Sequence, residues 1–112
     1  MKKFSLKVDV SSMTQLNPDT KKFIEELGSK GCFEKMLEAA LQSTHKDGLG
    51  GRLQKRHFEI LQALDNCDGN FLELENENFE MVKNAFEGEG ARFQHGLTRL
   101  VMQYRKNIEN AE

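Results

Sequence analysis

The chain has 112 residues, with 38% hydrophobic side chains, 30% charged side chains and a formal net charge of -2. This size and composition fit a single domain covering residues 1–112, and the near-neutral charge argues against a surface devoted wholly to nucleic acid or anionic lipid. The two cysteines form no CxxC pair, and no apolar run is long enough for a signal peptide or a membrane span. We therefore expect a soluble, cytoplasmic protein with reduced thiols and no membrane partner.

Alternating apolar and polar residues near the N-terminus predict a β-strand over residues 4–10, with one buried face. Residues 71–75 alternate in the same way and are the only evident partner within the chain. A sheet of two strands is marginal in water, so the N-terminal strand is expected to pair with 71–75 or with another chain. One edge of this strand is expected to stay open, and an open edge favours self-association.

Four or five helices are predicted between and after these strands, so the predicted fold class is mainly α with a small β component (α+β). Asn17-Pro18-Asp19 has the residues of a helix start. The glycines from Gly28 to Gly31 are expected to divide the helical pattern that follows into two helices. Further helical patterns run from Leu53 to Leu64 and from Asn76 to the glycines at 88 and 90.

The C-terminal segment from 93 to 108 has a clear amphipathic pattern, and the other helices are expected to pack around it. Buried apolar side chains of this size contribute about 1.5–3 kcal/mol each as an upper estimate, which is ample to organise a small domain. The opposite face of this helix is basic. The candidate core residues on the apolar face are Phe93, Leu97, Leu100, Val101, Tyr104 and Ile108.

Charge is segregated along the chain in spite of the small net value. Residues 59–89 carry nine acidic side chains and one basic one, whereas residues 90–108 carry four basic side chains and no acidic one. This pattern indicates internal ion pairs, solvated faces or complementary surfaces for another chain. Exposed ion pairs contribute only about 0–1 kcal/mol each, so solvated faces are the simplest interpretation. The candidate interaction residues are Arg52, Lys55, Arg56, Arg92, His95, Arg99 and Lys106.

Two glycine-containing segments are candidates for ligand binding. Residues 46–52 contain three glycines in four positions, which favours a flexible linker or mobile loop. The same residues are a candidate phosphate-binding loop, but a weak one, because no buried strand precedes them. Residues 64–75 partly imitate a calcium-binding loop, but Leu64 stands where such a loop normally opens with a carboxylate. A plain acidic turn is therefore favoured, and cation binding stays open.

No set of side chains identifies a reaction. The chain has no HExxH motif, no nucleophile elbow and no phosphate-cradling GKS or GKT loop. His57 occupies the apolar phase of its helix and is expected to be a partly buried, hydrogen-bonded residue. We therefore predict no enzyme activity, no cofactor and no metal.

These observations favour a small non-enzymatic protein–protein interaction or regulatory module that forms a homo-oligomer. The alternative is a nucleic-acid-binding accessory protein that uses basic residues near 46–56 and on the C-terminal helix. These bases lack interleaved aromatic residues, which weighs against that alternative. No motif in the sequence identifies the partner or the pathway.

Overall fold

The computed structural model describes residues 1–8, 18–88, 90–93 and 97–112. Within these ranges the chain is mostly helical and has a small two-stranded antiparallel sheet, which agrees with the predicted class. None of the described helices is long and apolar enough to cross a membrane. The elements in chain order are β1 (Lys2–Ser5), α1 (Pro18–Thr44), α2 (Gly51–Asn66), β2 (Phe71–Leu74), α3 (Asn76–Glu87) and α4 (Thr98–Glu109).

The two strands pair with each other, so the N-terminal strand finds within the chain the partner that the sequence predicted. Phe4 lies opposite Leu72, and both side chains are buried in the core. Lys3 lies opposite Glu73, and both of these side chains are exposed. Because side chains alternate between the faces of a strand, the sheet has one core face and one outward face.

The N-terminal strand is shorter than the predicted range of 4–10. The Leu6 N–H still donates to the carbonyl oxygen of Asn70 at 2.8 Å, but β2 begins only at Phe71, directly after a turn. The residues that follow Leu6 therefore have no part of β2 left to pair with. Residues 9 and 10 of the predicted strand lie outside the described residues.

The outer edge of β1 is occupied, contrary to the predicted open edge. The Lys3 N–H donates to the Glu112 carbonyl oxygen at 3.0 Å, and the Glu112 N–H donates to the Lys3 carbonyl oxygen at 2.9 Å. Farther along this edge, the side-chain amide of Asn107 donates to the Lys7 carbonyl oxygen at 3.0 Å. The residues that follow α4 therefore cover an edge that would otherwise invite another strand.

Helix α1 is interrupted at Gly28, where φ is 71° and ψ is -179°. This positive φ suits glycine, because a Cβ atom disfavours the conformation in other residues. The predicted break at the glycines is thus present, although the helix resumes directly and α1 reads as one kinked element. The predicted loop 46–52 also ends earlier than expected, because α2 begins at Gly51 and the Gln54 N–H bonds to the Gly50 carbonyl oxygen at 2.9 Å.

The core is organised by α3 together with α4. Helix α3 packs against α1, α2 and α4, while α4 also packs against β1. At the centre, Phe33 of α1, Phe86 of α3 and Tyr104 of α4 form an aromatic cluster in which each pair of ring centroids is 5.7 Å apart. The central position predicted for the C-terminal helix is therefore shared with α3.

Four of the six predicted core residues of the C-terminal segment are buried on α4: Leu100, Val101, Tyr104 and Ile108. Phe93 and Leu97 are partly buried and precede the helix, which begins at Thr98 rather than at residue 93. Phe93 stacks on Phe86, with ring centroids 5.9 Å apart. It joins the core through this aromatic contact although it is not part of α4.

Candidate interaction surfaces

The predicted basic residues on α2 differ in their surroundings. Arg52 and Lys55 are exposed, and neither forms an ion pair with another residue in the described part of the chain. Arg56 is only 18% exposed, and its Nη2 atom lies 2.7 Å from Oε2 of Glu77 on α3. Arg56 is therefore committed to a contact between helices, whereas the other two bases face solvent.

The predicted basic residues near and on α4 are also divided. Arg99 and Lys106 are exposed and have no ion pair within the described ranges. Arg92 lies before the helix, where its backbone N–H donates to the Ser43 hydroxyl of α1 at 2.9 Å. His95 lies outside the described residues. The candidate bases are thus spread over two helices and a connecting segment.

Arg105 has a structural contact that the sequence analysis missed. Its Nε atom donates to the Phe86 carbonyl oxygen, near the C-terminus of α3, at 2.7 Å. A guanidinium there satisfies a carbonyl group at the end of the helix and is favoured by the helix dipole. This contact depends on the packing of α3 against α4, which no local spacing reveals.

The outward face of the sheet carries exposed apolar side chains. Phe71 is 46% exposed and Met1 is 71% exposed. The Lys3 ammonium lies 5.0 Å from the centre of the Phe71 ring, a distance typical of a cation–π contact. We call Met1, Lys3, Phe71 and Glu73 the sheet surface.

Two grooves flank the pair formed by Lys3 and Phe71. A groove of about 550 Å³ separates this pair from the end of α2. A second groove of about 440 Å³ separates it from the residues at and after the end of α4. The wall on the α2 side is formed by Ala63, Asn66, Cys67 and Asp68, and the wall on the α4 side by Asn107, Asn110 and Glu112.

The sheet surface is not among the predicted sites, although Phe71 offers a signal in the sequence. In the run from Phe71 to Leu74, the alternating pattern assigns Leu72 and Leu74 to one face and Phe71 to the face of Glu73. A large apolar residue in the polar phase of a strand indicates either an unrecognised contact or an exposed anchor. In the structure the Phe71 ring is 46% exposed and contacts the Lys3 ammonium group.

A cleft of about 490 Å³ lies where α1, α2 and α3 meet. Its apolar lining is formed by Leu41, Leu53, Met81 and Ala85, and its polar lining by Thr44, His45, Arg56, Glu77, Glu80 and Asn84. We call this space the three-helix cleft. It combines an apolar interior with side chains of both charges.

The core contains a buried pair of titratable side chains. Burial raises the pKa of the Cys32 thiol above its usual value. Burial, together with the adjacent Cys32 thiol, also raises the pKa of the Tyr104 phenol. The Tyr104 hydroxyl is buried beside the Cys32 thiol. Both groups are therefore held in their neutral forms and are poorly suited to act as exposed nucleophiles.

The turn between α2 and β2 is stabilised by its own side chain. Oδ1 of Asp68 accepts hydrogen bonds from the N–H groups of Asn70 at 2.8 Å and Phe71 at 3.3 Å. These bonds lower the pKa of the Asp68 carboxyl. The Ser29 hydroxyl of α1 donates to the Gly69 carbonyl oxygen at 2.6 Å. Asp68 thus stabilises the turn within the segment 64–75, in which the sequence partly imitates a calcium loop.

Among the described residues, no group of three or more His, Cys, Asp or Glu side chains is placed to hold a metal ion. Comparisons with protein-family models, curated proteins and solved structures find no match for this chain.

Proposed function

We propose that this protein is a non-catalytic interaction module of the cytoplasm that self-associates through the sheet surface. The observation that supports this proposal is the pair of exposed apolar side chains, Met1 and Phe71, between two grooves on the uncovered face of the sheet. Single exposed apolar residues are common on protein surfaces. An exposed aromatic ring between two grooves has the shape of an interface anchor with space for its counterpart on either side.

The charges of the sheet surface are self-complementary. Lys3 and Glu73 are direct neighbours across the two strands and project from the same face. In a two-fold dimer both copies use the same surface, so every contact between two different residues across the interface occurs twice, once in each direction. Lys3 of each copy can then pair with Glu73 of the other, while the Phe71 rings fill the opposing grooves.

The size of this surface indicates a weak dimer. Each strand has four residues and is therefore only about 13 Å long, at about 3.3 Å per residue. A stable interface of standard size buries about 800 Å² on each partner, which two such short strands do not supply. The ends of α2 and α4 must contribute, and association in the micromolar range is the expected result.

Sedimentation equilibrium on the full chain, over a range of micromolar concentrations, tests this proposal. Phe71→Ser should raise the dimer dissociation constant at least tenfold, because truncation of an interface hot spot costs about 2 kcal/mol or more and about 1.4 kcal/mol corresponds to tenfold. Phe58→Ser is the matched control, since Phe58 is 58% exposed on α2 and lies outside the sheet surface. A monomer at every concentration, or an equal effect of the two variants, would contradict the proposal.

A charge exchange tests the pairing itself. Lys3→Glu should weaken the dimer by placing like charges opposite each other, and the double variant Lys3→Glu with Glu73→Lys should restore it. Thermal melts of each variant verify that the monomer remains folded. Failure of the double variant to recover association would show that these two residues do not meet across the interface.

Nucleic-acid binding remains a second candidate because of one observation on α2. Arg52, Lys55 and Phe58 follow one another at three-residue spacing, and all three are exposed. A basic surface with an exposed aromatic ring can contact phosphates and stack on an unpaired base. Arg56 is not included, because it is bound to Glu77.

An electrophoretic shift assay with single-stranded DNA and RNA at low salt tests this candidate. Binding should weaken steeply as salt rises, and the variant Arg52→Ala with Lys55→Ala should flatten the salt dependence. Phe58→Ala should weaken binding without changing that slope. The absence of any retardation at low salt would remove nucleic acid as a ligand.

A further inference from the structure

The three-helix cleft has the size and lining of a small-molecule site. Its volume of about 490 Å³ falls within the range of about 300–1,000 Å³ that is usual for ligand pockets. Leu41 and Ala85 form buried parts of the lining, and Leu53 and Met81 are partly buried. An apolar side chain of a ligand would find hydrophobic contacts with α1, α2 and α3.

The polar lining of the cleft presents both charges at short range. Arg56 of α2 and Glu77 of α3 form an ion pair with a separation of 2.7 Å, and Glu80 adds a second carboxylate. The Glu77 side chain is 74% exposed, and an ion pair with so exposed a member contributes little to stability. Glu77 can therefore exchange its partner, whereas Arg56, which is only 18% exposed, requires a replacement carboxylate.

The ion pair restricts the class of ligand that can displace it without leaving a charged side chain unpaired. A simple anion at Arg56 leaves Glu77 unpaired and meets repulsion from Glu80. A simple cation at the two glutamates leaves Arg56 unpaired. A zwitterion satisfies both sides, because its carboxylate replaces Glu77 at Arg56 while its ammonium group binds Glu77 and Glu80.

His45 adds a hydrogen-bonding group to the lining of the cleft. Its Nδ1 atom lies 2.9 Å from the Thr44 hydroxyl, which is within donating distance of the Ala40 and Leu41 carbonyl oxygens. In the tautomer that carries its proton on Nδ1, this nitrogen donates to the Thr44 hydroxyl and Nε2 is an acceptor. The ring can therefore accept a hydrogen bond from an ammonium group.

A second cavity of about 320 Å³ shares Leu41 and His45 with the three-helix cleft and extends below the loop that precedes α2. His57 lines it, and the Nε2 atom of His57 is buried without a partner among the described residues. The extra space suits a ligand whose side chain is larger than that of alanine.

From this geometry we propose that the three-helix cleft binds a free amino acid with an apolar side chain. The α-carboxylate pairs with Arg56, the α-ammonium group lies between Glu77 and Glu80, and the side chain contacts Leu41 and Met81. This site is separate from the sheet surface. It gives the protein a means of responding to a small molecule.

Isothermal titration calorimetry with L-leucine and L-methionine on the full chain tests the proposal. Saturable binding is expected with a dissociation constant between micromolar and millimolar. N-acetyl-L-leucine lacks the ammonium group, L-leucinamide lacks the carboxylate, and glycine lacks the side chain. Each of these three probes should bind at least tenfold more weakly than L-leucine.

Variants of the ion pair show whether binding occurs in this cleft. Arg56→Gln and Glu77→Gln should each weaken leucine binding at least tenfold, while the control Lys55→Gln on the exposed face of α2 should leave it unchanged. On addition of leucine to the wild-type protein, amide chemical-shift changes should be concentrated on residues 41–57 and 77–85. This measurement does not depend on the stability of any variant. No saturable binding of any amino acid, equal binding of the blocked derivatives, or shifts centred elsewhere would overturn the proposal.

Discussion

Tyr104 is the only tyrosine of the chain, which has no tryptophan, so its ionisation can be followed without interference from either residue type. Burial raises the pKa values of both Tyr104 and Cys32, so the folded state holds the neutral forms. The stabilisation by each group is complete below its unfolded pKa and is lost as pH rises toward the folded value. The free energy of unfolding should therefore fall above about pH 9, at about 1.4 kcal/mol per pH unit for each group that titrates.

Urea melts from pH 7 to pH 11, together with near-ultraviolet absorbance of tyrosinate, check this expectation. Tyrosinate should appear only as the protein unfolds, and Tyr104→Phe should reduce the pH dependence. Ionisation of Tyr104 in a chain that stays folded would show that the phenol is accessible.

Leu100 tests the contribution of the apolar face of α4. Its side chain is fully buried, so Leu100→Ala should lower the free energy of unfolding by about 2–5 kcal/mol through lost burial and a residual cavity. Met102 on the same helix is 54% exposed, and Met102→Ala should change stability by less than about 0.5 kcal/mol. Denaturant midpoints of the two variants compare these effects directly, and similar midpoints would contradict the assigned burial.

At the scale of elements, the kink in α1 makes a prediction about Gly28. Gly28→Ala should destabilise the protein by about 1–3 kcal/mol, because a φ of 71° with a ψ of -179° is nearly confined to glycine, even though open space surrounds the site. Gly51→Ala is the control at the start of α2, where the added methyl group meets nothing and should be neutral or stabilising. Thermal melts of both variants measure the difference. A stable Gly28→Ala protein would indicate that α1 can straighten.

Sequence patterns predicted the elements better than the contacts between them. The alternation in 71–75, the glycine break in α1 and the apolar residues of α4 each reflect local periodicity, which is readable without a fold. The pairing of Lys3 with Glu112, the ion pair of Arg56 with Glu77 and the bond from Arg105 to the Phe86 carbonyl group join distant parts of the chain. These contacts are set by packing, for which a single sequence carries no periodic signal.

At the scale of the whole molecule, the proposed dimer has a defined response to salt. The predicted segregation of charge favours association that weakens as salt screens complementary faces. In the proposed interface Lys3 and Glu73 form the complementary charged pair, and Phe71 supplies an apolar contact that salt does not screen. Sedimentation at low and high salt should therefore show a dissociation constant that rises only a few-fold. A rise of several hundred-fold would assign the interface to the charged helix faces instead.

The bonds between Lys3 and Glu112 also bear on how the protein folds. β1 pairs on one side with β2 and on the other with Glu112, so its completion closes a loop of nearly the entire chain. Such closure is entropically costly, and contacts of this separation slow folding. During synthesis, β1 cannot gain its outer partner until residue 112 has left the ribosome. A circular permutant can join residues 1 and 112 by a short linker and open the chain between 46 and 50, which makes the pairing of Lys3 with Glu112 local. Stopped-flow refolding should show that this permutant folds faster than the chain in its natural order.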